Sequence, residues 1–163
     1  MFPSSATKDT RTHPVMVKRR RQSRDLATLL ADLTCSATFV RRCAIIELVK
    51  KSPPEATLPL EALLQDKEAS IRACAAWALG EIGAVRSAGA LALCLKDMDV
   101  DVRRAAVQSL CAIALPENQA VLESASVDSD RWVAEWARRG LARLLKAPVR
   151  RRRPRPKVLA AVS

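Results

Sequence analysis

Apolar residues recur along the chain at helical spacing, and the blocks they form recur in turn. From Asp66 to Ile82 the chain reads DKEASIRACAAWALGEI. Within it Ile71, Ala75, Ala78, Leu79 and Ile82 fall at i, i+4, i+7, i+8 and i+11, one face of a helix, with Trp77 on the opposite side. Thirty-one residues later comes DMDVDVRRAAVQSLCAI, and thirty-one later again DSDRWVAEWARRGLARL. A weaker copy, CSATFVRRCAIIELVKK, lies one period upstream. The anchors Val40, Ile71, Val102 and Val133, and Leu48, Leu79, Leu110 and Leu141, align without a gap. A fixed period of this size marks stacked supersecondary units.

A second apolar stripe has the same period: Leu29, Leu60, Leu91 and Leu122. Each period therefore predicts two helices. Long helices are expected at 38–51, 69–83, 100–114 and 131–146, and shorter ones at 25–34, 56–65, 86–96 and 118–126. Pro53-Pro54, Gly83 and Pro116 punctuate the connections. No stretch alternates with the period of a strand, so the chain is expected to be all-α.

Comparing copies assigns roles. Ala78, Ser109 and Gly140 are equivalent, and their small size lets one long helix lie close to the preceding one. The first copy has Glu47 there, a residue that stays in water only if its helix has no preceding neighbour. Trp136 replaces Ala105, Cys74 and Cys43, as expected of a residue covering the open end of a stack. Asp99 and Asp130 sit where helix N-caps belong, and Asp25 does the same for the first short helix. Asp66, Asp97 and Asp128 are equivalent, as are Arg41, Arg72 and Arg103, with Ala134 in the last copy.

The pattern D-x-x-x-x-[VI]-R-x-x-A-[AV]-x-x-L-G, best matched by Asp66, Ile71, Arg72, Ala75, Leu79 and Gly80, resembles the HEAT-like repeats of the phycobilisome-lyase type. Cys111 replaces Gly80 in the next copy, the last lacks the Arg, and the first has Cys35 for the Asp. The resemblance spans about residues 25–146. It implies a short right-handed α-solenoid of about four helix pairs, long helices convex and short ones concave. It also implies an Asp–Arg ladder along the stack through Asp66, Arg72, Asp97, Arg103 and Asp128. Such a scaffold specifies fold and says little about function.

Charge divides the chain differently. The formal net charge is +11, yet residues 1–25 hold seven Lys and Arg against two Asp, and residues 148–163 hold six and no acid. The body between them is neutral. Residues 1–24 and 147–163 are therefore expected to be disordered basic tails flanking a body at 25–146. No apolar leader or transmembrane stretch is present, and five Cys without a CxxC pair suggest free thiols in a reducing cytoplasm. Cys43 and Cys74 read as small buried hydrophobes.

The residues argue against catalysis. The one His is His13, in the N-terminal tail. There is no Ser-His-Asp set, no Cys-His pair in the body and no Gly-rich phosphate loop, so no catalytic, cofactor or metal residue is assigned. HEAT-like metal hydroxylases use His-Glu pairs, which the body lacks. HEAT-like DNA glycosylases use a Trp/Asp/Arg cleft, but Trp132 and Trp136 lie four apart on one long helix, on the convex side with Trp77 and Phe39.

The leading expectation is a non-enzymatic protein–protein scaffold or adaptor. Its candidate contacts are Trp77, Trp132, Trp136 and Leu93, the last on a concave surface with Glu61, Ala62, Ala92, Glu123 and Ser124. One alternative is a nucleic-acid-associated adaptor. From Arg131 to Lys157 eleven cations face Glu135 alone, among them Arg138, Arg139, Arg150, Arg151, Arg152, Arg153 and Arg155. An acidic protein or membrane surface would meet the same charges. A bilin lyase or chaperone is a third reading. The last long helix is not followed by another short one, so either Val158–Val162 or another chain is expected to cover it, which raises self-association through this end.

Overall fold

The computed structural model describes residues 24–146. They form eight α-helices in the alternation that the period requires. The long helices are α2 (Thr38–Lys51), α4 (Ala69–Glu81), α6 (Val100–Ile113) and α8 (Arg131–Lys146). The short ones are α1 (Leu26–Asp32), α3 (Thr57–Ala62), α5 (Ala88–Cys94) and α7 (Gln119–Ala125). One-turn 3₁₀ segments at 54–56, 85–87 and 116–118 lead into α3, α5 and α7, and another at 63–65 follows α3, so the α-helical parts are shorter than the spans expected there. Among the described residues there is no strand and no helix long and apolar enough to cross a membrane.

The long helices pack side by side in the order α2, α4, α6, α8. Each short helix packs on the long helix that follows it: α1 on α2, α3 on α4, α5 on α6, α7 on α8. The repeat unit is thus short helix then long helix. This corrects the expectation that α8 lacks a short partner, because α7 is that partner.

Six of the eight periodic anchors, Leu48, Ile71, Leu79, Val102, Leu110 and Val133, are fully buried, as are Leu29, Leu60, Leu91 and Leu122, while Val40 and Leu141 in the end copies are half-buried. Burying a Leu or Ile contributes about 1.5–3 kcal/mol, so the two stripes form one continuous core between the layers. The single-face wheel for α4 proves too narrow. Ala76 and Gly80 are buried with Ile71, Ala75, Ala78 and Leu79, and Trp77 is half-buried against the core. An interior helix of a layer has a neighbour on each flank and a third beneath, so only a thin strip meets water. Cys74 on that strip of α4 and Cys43 on the flank helix α2, both read as buried, are half-exposed, while Cys94 and Cys111 are the buried thiols.

Close approach of the long helices depends on the small residues. A Cβ on Gly80 would lie 2.3 Å from Ser109 Oγ and 2.8 Å from Ser109 Cα. Ser109 Oγ itself donates to the Ala76 carbonyl of the preceding helix at 2.8 Å. At the next interface a Cβ on Gly140 would meet Cys111 Sγ at 2.4 Å. The helices end alike too. Ser52, Gly83 and Ala114 are one period apart and all adopt left-handed backbone, φ 46°, 64° and 49°.

Gly80→Ala is expected to lower stability by about 1–3 kcal/mol through overpacking against Ser109 backbone. Ala114→Gly is expected to raise it by about 0.5–1 kcal/mol by relieving the left-handed strain. Chemical denaturation of both variants checks the pair, and the signs must be opposite.

Candidate functional site

The ladder forms, and it has three rungs. Arg72 spans to Asp97 with Nε to Oδ2 at 2.7 Å and Nη2 to Oδ1 at 2.9 Å. Arg103 repeats this on Asp128 at 3.0 and 3.3 Å. The first rung, Arg41 to Asp66, is a single bond of 3.2 Å, and the buried Arg41 Nε has no partner. Each Arg also donates through Nη1 to two carbonyls of its own loop: Cys35 and Ser36, Asp66 and Lys67, Asp97 and Met98. Each Asp accepts the N–H two residues on, from Glu68, Asp99 and Asp130. The Arg72 bond, offset by burial and aided by the Asp99 N–H, holds the Asp97 carboxyl below its ordinary value.

Arg41, the equivalent of Arg72 and Arg103, was not expected in the ladder, because Cys35 breaks the motif in the first copy. The signal is the spacing: each rung joins an Arg to the Asp 25 residues later, and Arg41 obeys it. Sequence reasoning also missed a side rung, Arg104 to Asp130 at 2.8 Å, which holds the Asp130 carboxyl low. Asp99 and Asp130 cap α6 and α8 as expected, and Asp25 caps α1.

Both flanks of the stack carry charge where the interior carries apolar or small residues. At the first, Glu47 stands in the Ala78/Ser109/Gly140 position and accepts from Arg24 Nη2 at 2.8 Å. Arg24 also holds Asp32, so a residue assigned by composition to the N-terminal tail ties α1 to α2. At the other flank the ladder stops at Ala134, which is buried. Arg138 occupies the position of Ile45, Ala76 and Val107, all fully buried, but is itself exposed and donates to the Ser126 carbonyl at 2.8 Å.

The remaining candidates separate onto two surfaces. Leu93, 64% exposed, borders a groove of about 480 Å³ between α5 and α7, with Ala92, Leu95, Val121 and Ser124. The other surface belongs to the long helices. Phe39 and Trp132 are exposed on α2 and α8, while Trp77 and Trp136 are half-buried against the core. Trp132 and Trp136 pack together, centroids 5.1 Å apart and planes at 36°. Arg139 is exposed and paired with Glu135. Asp128 is held by Arg103 in the ladder. Arg150, Arg151, Arg152, Arg153, Arg155 and Val158–Val162 lie outside the described residues. Burial pushes the Cys94 thiol up to about 11, and raises Cys74 and Cys111 too, the opposite of nucleophile activation. Among the described residues no three His, Cys, Asp or Glu side chains converge as metal ligands would.

A stacked array of short and long helices joined by an Arg–Asp ladder defines the class, an α-solenoid. The profile of HEAT repeats matches residues 26–93, and the stack as a whole has a HEAT-like fold. No curated protein matches the chain in sequence. Among solved structures it is similar to human deoxyhypusine hydroxylase in complex with glycerol, at 25% identity and TM-score 0.65 over 73% of this chain. It spans 43% of the hydroxylase chain, less than half of that protein's length. An engineered protein shares 22% identity at TM-score 0.58, over 72% of this chain and 61% of its own. The complex of CpcE and CpcF of phycocyanin lyase from Nostoc sp. shares 20% at 0.56, over 90% and 72%.

Arg72→Ala leaves Asp97 half-buried without its bidentate partner, and is expected to cost about 1.5–3 kcal/mol. The depressed carboxyls of Asp97 and Asp130 stabilise the fold above their unfolded values near 3.8, and this contribution disappears as pH falls through the lower folded values. Denaturation between about pH 5 and pH 2 should show that loss, and Asp97→Asn should have a flatter profile. An unchanged slope in that variant removes Asp97 from the titration.

Proposed function

We propose that this protein is a non-enzymatic protein–protein scaffold, an adaptor that works in the cytoplasm. The observation that carries the reading is how the repeat residues are used. The ladder Asp and Arg, the small residues and the Leu stripes are all turned to stacking. What is left over is contact surface: an open groove with Leu93 and Val121 on the short-helix layer, and aromatic residues on the long-helix layer. Helix stacks of this kind present long surfaces from few residues.

The hydroxylase and the lyase are enzymes by their names, but nothing in this chain's groove corresponds to a catalytic set. Of its charged lining residues Asp128 is already paired with Arg103, leaving Lys96. Likeness to the lyase complex at 20% identity bears on fold, and gives the bilin alternative no residue of this chain. A nucleic-acid-associated adaptor has one observation in its favour: α8 carries Arg131, Arg138, Arg139, Arg143 and Lys146 against Glu135.

Leu93→Glu tests the reading, with affinity capture from native extract as the assay. Leu93 is exposed, so the variant should keep its helical signal while a specific co-purifying protein is lost by about tenfold or more. An unchanged set of captured proteins argues against the groove as the contact.

A further inference from the structure

Helix α8 differs from the other long helices on the side that faces solution. Its outer stripe runs from the exposed Trp132 through the half-buried Trp136 to the exposed Arg139 and Arg143, at i, i+4, i+7 and i+11, with Lys146 at the end. The same four positions on α6 are Asp101, Ala105, Gln108 and Ala112. The departure is therefore a block: two aromatics, then cations one turn apart. We propose that this stripe of α8 docks an acidic amphipathic helix, whose apolar side chains cover Trp132–Trp136 and whose carboxylates, one turn apart, meet Arg139, Arg143 and Lys146. The proposal rests on the scaffold reading and names a partner chemistry for it.

Three observations favour a polypeptide over a nucleic acid. The Trp rings lie against each other at 5.1 Å and 36°, and Trp136 is half-buried. They therefore show a ridge suited to aliphatic side chains, not the open faces on which bases stack. Glu135 sits within the stripe, paired with Arg139 at 2.5 Å. A uniformly charged phosphate backbone following the stripe would pass this carboxylate, whereas a peptide can place a neutral or basic side chain there. The cation spacing also matches a helix, since Arg139, Arg143 and Lys146 repeat at four and three residues, as would Glu on a facing helix. Trp and Arg together are the residues most enriched where binding energy concentrates.

Trp77→Phe leaves Trp132 and Trp136 as the only tryptophans, so their fluorescence reports the site. The probe is a synthetic helical peptide with two Leu one turn apart, followed by Glu at the spacing of Arg139, Arg143 and Lys146. At about 50 mM salt it should give a saturable blue shift, weakened by about tenfold at roughly 300 mM. Arg139→Glu combined with Arg143→Glu should raise Kd by about tenfold or more, and the doubly reversed chain should regain binding to a peptide with Lys in place of Glu. That exchange cannot come from misfolding. A missing blue shift at low salt, or an oligothymidylate that binds more tightly than the peptide, overturns the proposal. Capture through Leu93, on the other layer, then shows whether the scaffold reading falls with it.

Discussion

The Arg–Asp rung is the constraint on which the rest of the stack depends. Leu stripes supply most of the favourable energy, but burial is non-directional and would tolerate sliding between layers. A rung does not. One guanidinium satisfies two carbonyls of its own loop and reaches both carboxylate oxygens of the next, and that carboxylate holds the N–H that opens the following turn. Loop carbonyls that would otherwise need water are satisfied within the protein. The offset from one repeat to the next is thereby fixed to within hydrogen-bond tolerance. The groove between α5 and α7 holds its shape for this reason.

Helix separation is set by a second device, and it works by exchange of volume. Gly80 faces Ser109, and Cys111 faces Gly140. In each pair one member is Gly, and the other supplies the side chain that fills the space. The position that is Gly on one helix becomes Cys on the next, and the facing position changes from Ser to Gly. Neither motif position is fixed in identity, yet the summed size at the contact stays small. Ser109 then uses the short distance for a bond to the Ala76 carbonyl, so the tight interface is also polar and satisfied.

Much of this was legible in the period. Once the four copies are aligned, the helix order, the buried Leu and the N-caps Asp25, Asp99 and Asp130 follow from residue type. What was not legible came from neighbours that a single-helix wheel cannot represent. Trp77 was placed opposite a single apolar face of α4, whereas the helix has packed neighbours on several sides. Arg41 was recognised as the equivalent of Arg72 and Arg103 but left out of the ladder, because its own loop has Cys35 in place of the Asp. Arg24 lies outside every repeat, and Glu47 was expected only to stay in water, so nothing pointed to the pair they form. The candidate contacts were found as exceptions to the repeat, which gives their positions but not what they touch.

The two flanks show why exceptions carry the functional argument. A further helix pair laid on α8 as α8 lies on α6 would bury position 138, where Ile45, Ala76 and Val107 are completely enclosed. Arg138 would have to give up water and its Ser126 carbonyl, and an uncompensated buried charge costs several kcal/mol. Ala134 would offer such a pair no rung. A second copy stacking through this flank meets the same obstacle, which weighs against end-to-end extension by repeat geometry. The flank instead presents cations, and beside it lie the Trp pair and Arg139, which the stack does not need. An acidic partner compensates those charges where another repeat would bury them, so the residues that stop the array are the ones suited to recruit something unlike it.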